Sequence, residues 1–343
     1  MRWLRISGLP LAVLVFVVAG GCDASDESGS GVASSARPTT SAATAATGSS
    51  DATDPPGALA EMPEPRTEVA GAAWDGRIVV VGGLTADGAA SDRADLYDPA
   101  TNAWTPLPDL PRGVHHAAVV EFAGRAWVVG GYTAFEGDLF VPLRTVFSLG
   151  DGDDAWRAEP QLVQIRGALA AAVIDGAIVA AGGTDGSAVL TSTEVLRDGS
   201  DAWEPGRPLG EAREHFALTE HGGTLYAIAG REGGADQNKT SVETAAGAGE
   251  SWTPGAPIAH ARSGIGAASV SGRVCVAGGE TPDSTVAPVE CTLGNRGWEV
   301  VAQLATPRHG LVVVALGSRL HVIGGGPEPG LTVSGDHEVF EVP

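Results

Sequence analysis

The sequence predicts an all-β protein, a six-bladed β-propeller whose last blade is closed by an N-terminal strand. Three observations carry this. A phrase ending in a glycine pair returns six times, each copy has room for four short strands, and the last copy is one strand short. The phrase is clearest at Arg77 to Gly83, RIVVVGG, and recurs as RAWVVGG, AIVAAGG, TLYAIAG, RVCVAGG and RLHVIGG. Its second glycines fall at 83, 131, 183, 230, 279 and 325, so the steps are 48, 52, 47, 49 and 46 residues. A near-constant step of about 50 residues marks an array of supersecondary units.

Within each copy the elements follow from local chemistry. A run of small residues such as GAAW, HHAAVV, ALAAAV or GIGAAS suits a first strand crowded against the propeller axis. The apolar run before the glycines reads as a strand buried on both faces. The glycine pair then permits positive φ and close backbone approach. A third strand follows, as at Ala94 to Pro99 or Thr193 to Leu196, and then a Trp at 104, 156, 203, 252 or 298. Pro106, Pro205 and Pro254 each fall two residues after a Trp, where an outer edge strand tolerates proline. The Trp side chains are expected to pack between blades. Copy six ends at HEVFEV, His337 to Val342, and ALAEMPEPR (Ala58 to Arg66) resembles WTPLPDLPR (Trp104 to Arg112) without its Trp. The N-terminal segment is therefore expected to close blade six.

Residues 57 to 343 resemble the kelch repeat family: an apolar run into Gly-Gly, a spaced third strand, then Trp. None of the repeat's Trp residues, at 104, 156, 203, 252 and 298, is followed by Asp, which separates the repeat from the WD40 pattern. Copy four departs with Ala229-Gly230, and the third-strand Tyr survives only at Tyr97.

The beginning of the chain reads differently. Arg2 and Arg5 precede an apolar run from Ile6 to Val18, then small residues and Cys22, as in a secretory signal. VVAGGC resembles a bacterial lipobox, with Ala19 where Leu is usual, so residues 1–21 are expected to be removed and Cys22 lipidated. Residues 22–56 are Ser, Thr, Ala, Gly and Asp, unable to bury a core, and read as a tether with a reach of about 30–35 Å. The resulting expectation is an exported protein, anchored to the outer face of the bacterial cell membrane.

The formal net charge is −21, and Lys239 is the single lysine. Such acidity argues against nucleic acid. An Arg precedes each small-residue run, at Arg66, Arg112, Arg166, Arg213, Arg262 and Arg308. The start of strand one and the end of strand two share one face, which the kelch resemblance makes a ligand funnel with these Arg contacting acidic ligands. The alternative is that they pair with the third-strand acids Asp95, Glu194, Glu243, Glu290 and Glu338. The longest loop of that face, Tyr132 to Arg144, holds Tyr132, Phe135 and Phe140, which either clamp a ligand or pack on the propeller top.

Catalytic signals are sparse. His115 and His116, as strand neighbours, are expected to face opposite sides and share no metal, and His215 and His309 read as structural parts of the repeat. No phosphate loop or zinc-type cysteine pair occurs, so no cofactor and no metal are expected. The Asn238-Lys239-Thr240 sequon carries no weight beside a bacterial signal. Cys275 and Cys291, on adjacent strands in an oxidising compartment, form a disulfide or remain two buried thiols. The function expected is a monomeric module binding an extracytoplasmic protein or glycan. The resemblance implies an alternative, a sugar-acid mutarotase or epimerase of the N-acetylneuraminate type. A copper radical oxidase is the weakest reading, since only Tyr97, Tyr132 and Tyr226 are available as tyrosine ligands.

Overall fold

A computed structural model describes residues 58–293 and 296–342; the signal, tether and Cys22 assignments lie outside them. Five sheets have four antiparallel strands in radial order, and the sixth has three. Blade one is typical, with strands Ala70–Trp74, Arg77–Val81, Ala94–Asp98 and Ala103–Pro106. The first strands contact one another in a closed cycle, Val312–Leu316 of blade six returning to Ala70–Trp74 of blade one. Ala72, Ala171, Ala267 and Gly71 line the channel between them, since larger side chains would not fit where six strands converge. The second strands are almost wholly buried, as Ile78, Val79 and Val80 show, each with no exposed surface. Blade two departs from the pattern by inserting a separate hairpin, Tyr132–Phe135 with Asp138–Pro142, between its second and third strands. Glu136 and Gly137 both have positive φ at its tip, as a two-residue hairpin turn requires. The expected loop is thus a β-hairpin.

Ring closure follows one rule in all six blades. Four residues before each repeat position sits a buried apolar side chain: Met62, Leu110, Leu162, Leu209, Ile258 and Leu304. Each donates its backbone N–H to the start of its own blade's third strand, and Met62 does so to Gly335 of blade six at 2.8 Å. Two residues earlier, five of the six carbonyls accept the indole N–H of the next blade's Trp: Trp104 to Ala60, Trp156 to Pro108, Trp203 to Pro160, Trp252 to Arg207 and Trp298 to Ala256. Residues 58–66 therefore hold blade six as every outer segment holds its blade, although the sheet of blade six counts three strands among the described residues. The Trp residues pack between blades and also bond them. Cys275 and Cys291 pair directly across adjacent strands and are joined in a disulfide.

The repeat Arg residues are set inside the blades. Arg66, Arg166, Arg213, Arg262 and Arg308 have no exposed surface. Each reaches the carbonyl of the first residue in the glycine-pair position, sixteen residues on. Each also pairs with a third-strand acid: Asp95, Glu194, Glu243, Glu290 and Glu338, respectively. The four glutamates in turn accept backbone N–H bonds from the outer segment, as Glu194 does from Val163 and Gln164, while Asp95 takes the Arg93 guanidinium instead. Blade two departs from this. Arg112 is exposed, and Val114 occupies the repeat position, its carbonyl accepting the Gly83 N–H as Arg166 accepts that of Gly131. Phe147 stands where the acid would be.

Candidate functional site

Immediately after the repeat position the chain turns through a left-handed residue in every blade. These are Glu68, His116, Ala168, His215, Gly264 and Gly310, with φ between 50° and 68°. Their backbones join in a ring. His116 N–H donates to Glu68, Ala168 to His116, His215 to Ala168, Gly264 to His215 and Gly310 to Gly264, at 2.8–3.1 Å. The cycle closes with Val69 N–H on Gly310 at 3.2 Å. This collar narrows the channel mouth and forms the floor of a cavity of about 730 Å³. Gly310 has no side chain because Glu68 occupies the space, its carboxyl carbon 2.7 Å from where a Cβ would lie.

The walls come from two further positions per blade, the residue before the collar and the residue after the glycine pair, which bridge to one another. Thr67 faces Leu84, His115 faces Tyr132, Glu214 faces Arg231 and His309 faces Gly326. Phe140 and Leu139 of the inserted hairpin and Leu331 of blade six complete the rim. Tyr132 is buried with its ring against His115, His116 and Phe140, and burial raises its hydroxyl pKa.

Charges are paired across the floor. His309 Nδ1 lies 3.2 Å from Glu68 Oε1, while its Nε2 donates to the carbonyls of Glu328 and Gly330. Burial opposes a charge on His309, but Glu68 outweighs it and lifts the pKa to about 9. Burial likewise raises the Glu68 carboxyl, and His116 with the His309 imidazolium more than reverses this, leaving it well below the usual range. Arg231 bridges Glu214 at 3.2 Å and Glu280 at 3.0 Å. Burial works against ionised Glu214, and His215 and Arg231 together bring its pKa down. His116, its side chain nearly buried, is driven well below the ordinary imidazole value by burial.

Several expectations need amending here. The five inward Arg side chains have no surface to offer a ligand, and Arg112 lies outside the funnel. Of the aromatics, Tyr132 and Phe140 line the cavity, whereas Phe135, 60% exposed, stands at the hairpin tip. His115 and His116 do not face opposite sides. Positive φ at His116 breaks strand alternation, and their Nδ1 atoms lie 2.6 Å apart. His215 and His309, read as structural, both line the cavity. Glu68, Glu214, Arg231 and Glu280 went unnoticed, although their constant offsets from the repeat position and the glycine pair were readable.

Six radial blades around a charged funnel define a six-bladed β-propeller with a ligand-sized mouth. Within that class the chain carries the kelch repeat in two stretches: residues 65–111 and 165–210 match the Kelch motif model. It is similar to Kelch-like protein 35 of Mus musculus, 28% identical over 139 residues, which are 40% of this chain and 22% of that protein. Kelch-like protein 34 of Homo sapiens is 30% identical over 105 residues, 30% of this chain and 16% of that protein. An F-box/kelch-repeat protein of Arabidopsis thaliana is 35% identical over 77 residues, 22% of this chain and 20% of that protein. The chain thus spans about a fifth of the length of these curated relatives. Among solved structures, YjhT superposes with a TM-score of 0.72 at 16% identity, covering 83% of this chain and 97% of that one, a likeness of fold.

Proposed function

We propose that this protein is an exported, lipid-anchored kelch propeller whose funnel binds a small hydroxyl-rich ligand of the saccharide class. The cavity itself carries this reading. Its volume of about 730 Å³ suits a ligand of one to three sugar rings. Its floor presents charged acceptors and donors to hydroxyls, and the Tyr132 and Phe140 rings give a wall for the apolar face of a sugar. Cys22 and the tether of residues 22–56 would hold the domain clear of a membrane, and the kelch relatives keep a protein partner at the rim as the competing occupant. Thermal denaturation against neutral sugars, acidic sugars and peptides tests this. A ligand at 100 times its Kd adds about 2.7 kcal/mol, a shift of several degrees. The shift should vanish in Arg231→Gln and shrink in Phe140→Ala. A response to peptides alone, abolished by Phe135→Ala and indifferent to Arg231, would overturn it in favour of a protein-binding rim.

A second reading, a sugar-acid mutarotase, draws on the acid–base neighbours in the funnel. Opening a pyranose ring needs a base at the anomeric hydroxyl and an acid at the ring oxygen. Glu214 is a carboxylate suited to the first role, and the His309 imidazolium to the second. Arg231 would meet the substrate carboxylate. NMR measurement of anomer exchange decides this reading; a rate equal to buffer alone removes it.

A further inference from the structure

Glu68, His116 and His215 occupy the collar position of blades one, two and four, at φ 53°, 51° and 50°. Left-handed backbone costs a side chain on the order of 1 kcal/mol or more that glycine does not pay, and blades five and six place Gly264 and Gly310 there. Backbone geometry therefore does not account for the three side chains. Their donor atoms converge: one ligand atom from each lies within 4.8 Å of the other two.

The hydrogen atoms in this cluster can be counted. His115 Nε2 faces the Leu139 carbonyl at 2.9 Å and carries a hydrogen to bond it. In the neutral ring Nδ1 is then a bare lone pair. It lies 2.6 Å from His116 Nδ1, which must supply the hydrogen of that bond. His116 Nε2 is left as a lone pair too, and it faces Glu68 Oε2 at 3.1 Å. Two electron pairs so close repel, and a cation between them, a proton or a metal ion, relieves this. Their spacing is that of two ligands each about 2.0–2.1 Å from one metal ion. His215 supplies a further sign: its side chain is 8% exposed, and its buried Nδ1 makes no hydrogen bond, the Glu214 carboxylate standing 3.6 Å away.

We infer that Glu68, His116 and His215 form a binding site for one divalent transition-metal ion, zinc(II) foremost, with a remaining coordination position open to the funnel. Two imidazoles and a carboxylate are a donor set that suits zinc and leaves such a position. The outer partners are in place. His309 holds the second Glu68 oxygen at 3.2 Å, and His115 sets the His116 tautomer, so both ligands are oriented from behind. The Arg231 guanidinium lies 3.2 Å from His215 Nε2 and is held there by Glu214 and Glu280. The site does not depend on the saccharide reading, since it is built from protein donors alone.

Calorimetric titration of zinc(II) into the chelator-stripped full chain tests it, beside cobalt(II) absorption spectroscopy. The expected result is one ion per chain, with affinity at least 10-fold weaker in Glu68→Gln, His116→Asn and His215→Asn. Asparagine is chosen because it tolerates the left-handed backbone. His221→Asn, at the far end of its strand against Ser269, should bind as the unaltered chain does. Cobalt(II) should show the strong visible bands of a four- or five-coordinate ion. Absence of saturable one-to-one binding, or undiminished affinity in the three variants, would overturn the site. Should the variants not fold, the cobalt spectrum of the unaltered chain decides alone, the weak bands of an octahedral hydrated ion counting against it.

Discussion

Replacing Arg166 by valine would strand Glu194, 3% exposed, inside blade three without its cation. The lost bonds run to the carbonyls of Gly182 and Ser192 and to Glu194, each at 2.9 Å. Removing one partner of a buried pair costs about 3–5 kcal/mol, because the remaining charge stays desolvated. For a domain of this size that is a fall in melting temperature of roughly 6–10 °C. Blade two shows how to offset the loss. It has Val114 for the Arg and Phe147 for the acid, and Pro111 at the position equivalent to Val163, where no N–H needs an acceptor. The triple variant Arg166→Val, Glu194→Phe, Val163→Pro copies that solution and should melt within about 2 kcal/mol of the original, since apolar replacement of a whole buried pair is near neutral. Differential scanning calorimetry of the three proteins measures both effects. A single variant that melts with the original would show the ion pair to be dispensable. A triple variant as unstable as the single one would show that blade two is not a self-sufficient alternative.

Met62→Ala, which truncates a side chain 2% exposed in the closing segment, should cost about 2–5 kcal/mol, read from a urea transition, and an unmoved midpoint would deny that residues 58–66 seal the ring. Burial, with His321 adding to it, lowers the His337 pKa to about 4, so the folded state holds this ring neutral where the unfolded chain protonates it. Its contribution is complete above pH 6.5 and disappears as pH falls through 4, roughly 3 kcal/mol in all, and His337→Gln should flatten the stability profile over that window. Reducing Cys275–Cys291, sixteen residues apart, should lower stability by about 3 kcal/mol, and an identical transition with and without reductant would contradict this.

The blades were legible because burial and turn chemistry repeat in every copy: the apolar run, the glycine pair and the Trp each answer a local need. The pairing of Arg with third-strand acids was readable as one of two alternatives, and an interior site for a guanidinium follows from the sixteen-residue offset to the glycine pair. Arg112 breaks that offset by two, which is why it misled: residue type drew the eye where spacing should have. The funnel was harder to foresee. Its collar is specified by backbone conformation, and Glu, His, Ala and Gly share a left-handed φ without sharing any side-chain property that a pattern could detect. Closure by residues 58–66 was visible because the outer segment has its own signature, a buried apolar residue four before the repeat position.

Because the collar is tied together by main-chain atoms alone, what a blade displays there is open to change without rewiring the ring wherever, unlike at Gly310, the space is free. Ala168 already has φ 52°, so a larger side chain at that station would inherit a strain the fold has absorbed. Chemistry at the mouth can therefore diverge between relatives faster than the blades that support it, one codon at a time, and two such proteins could share every strand while taking unrelated ligands.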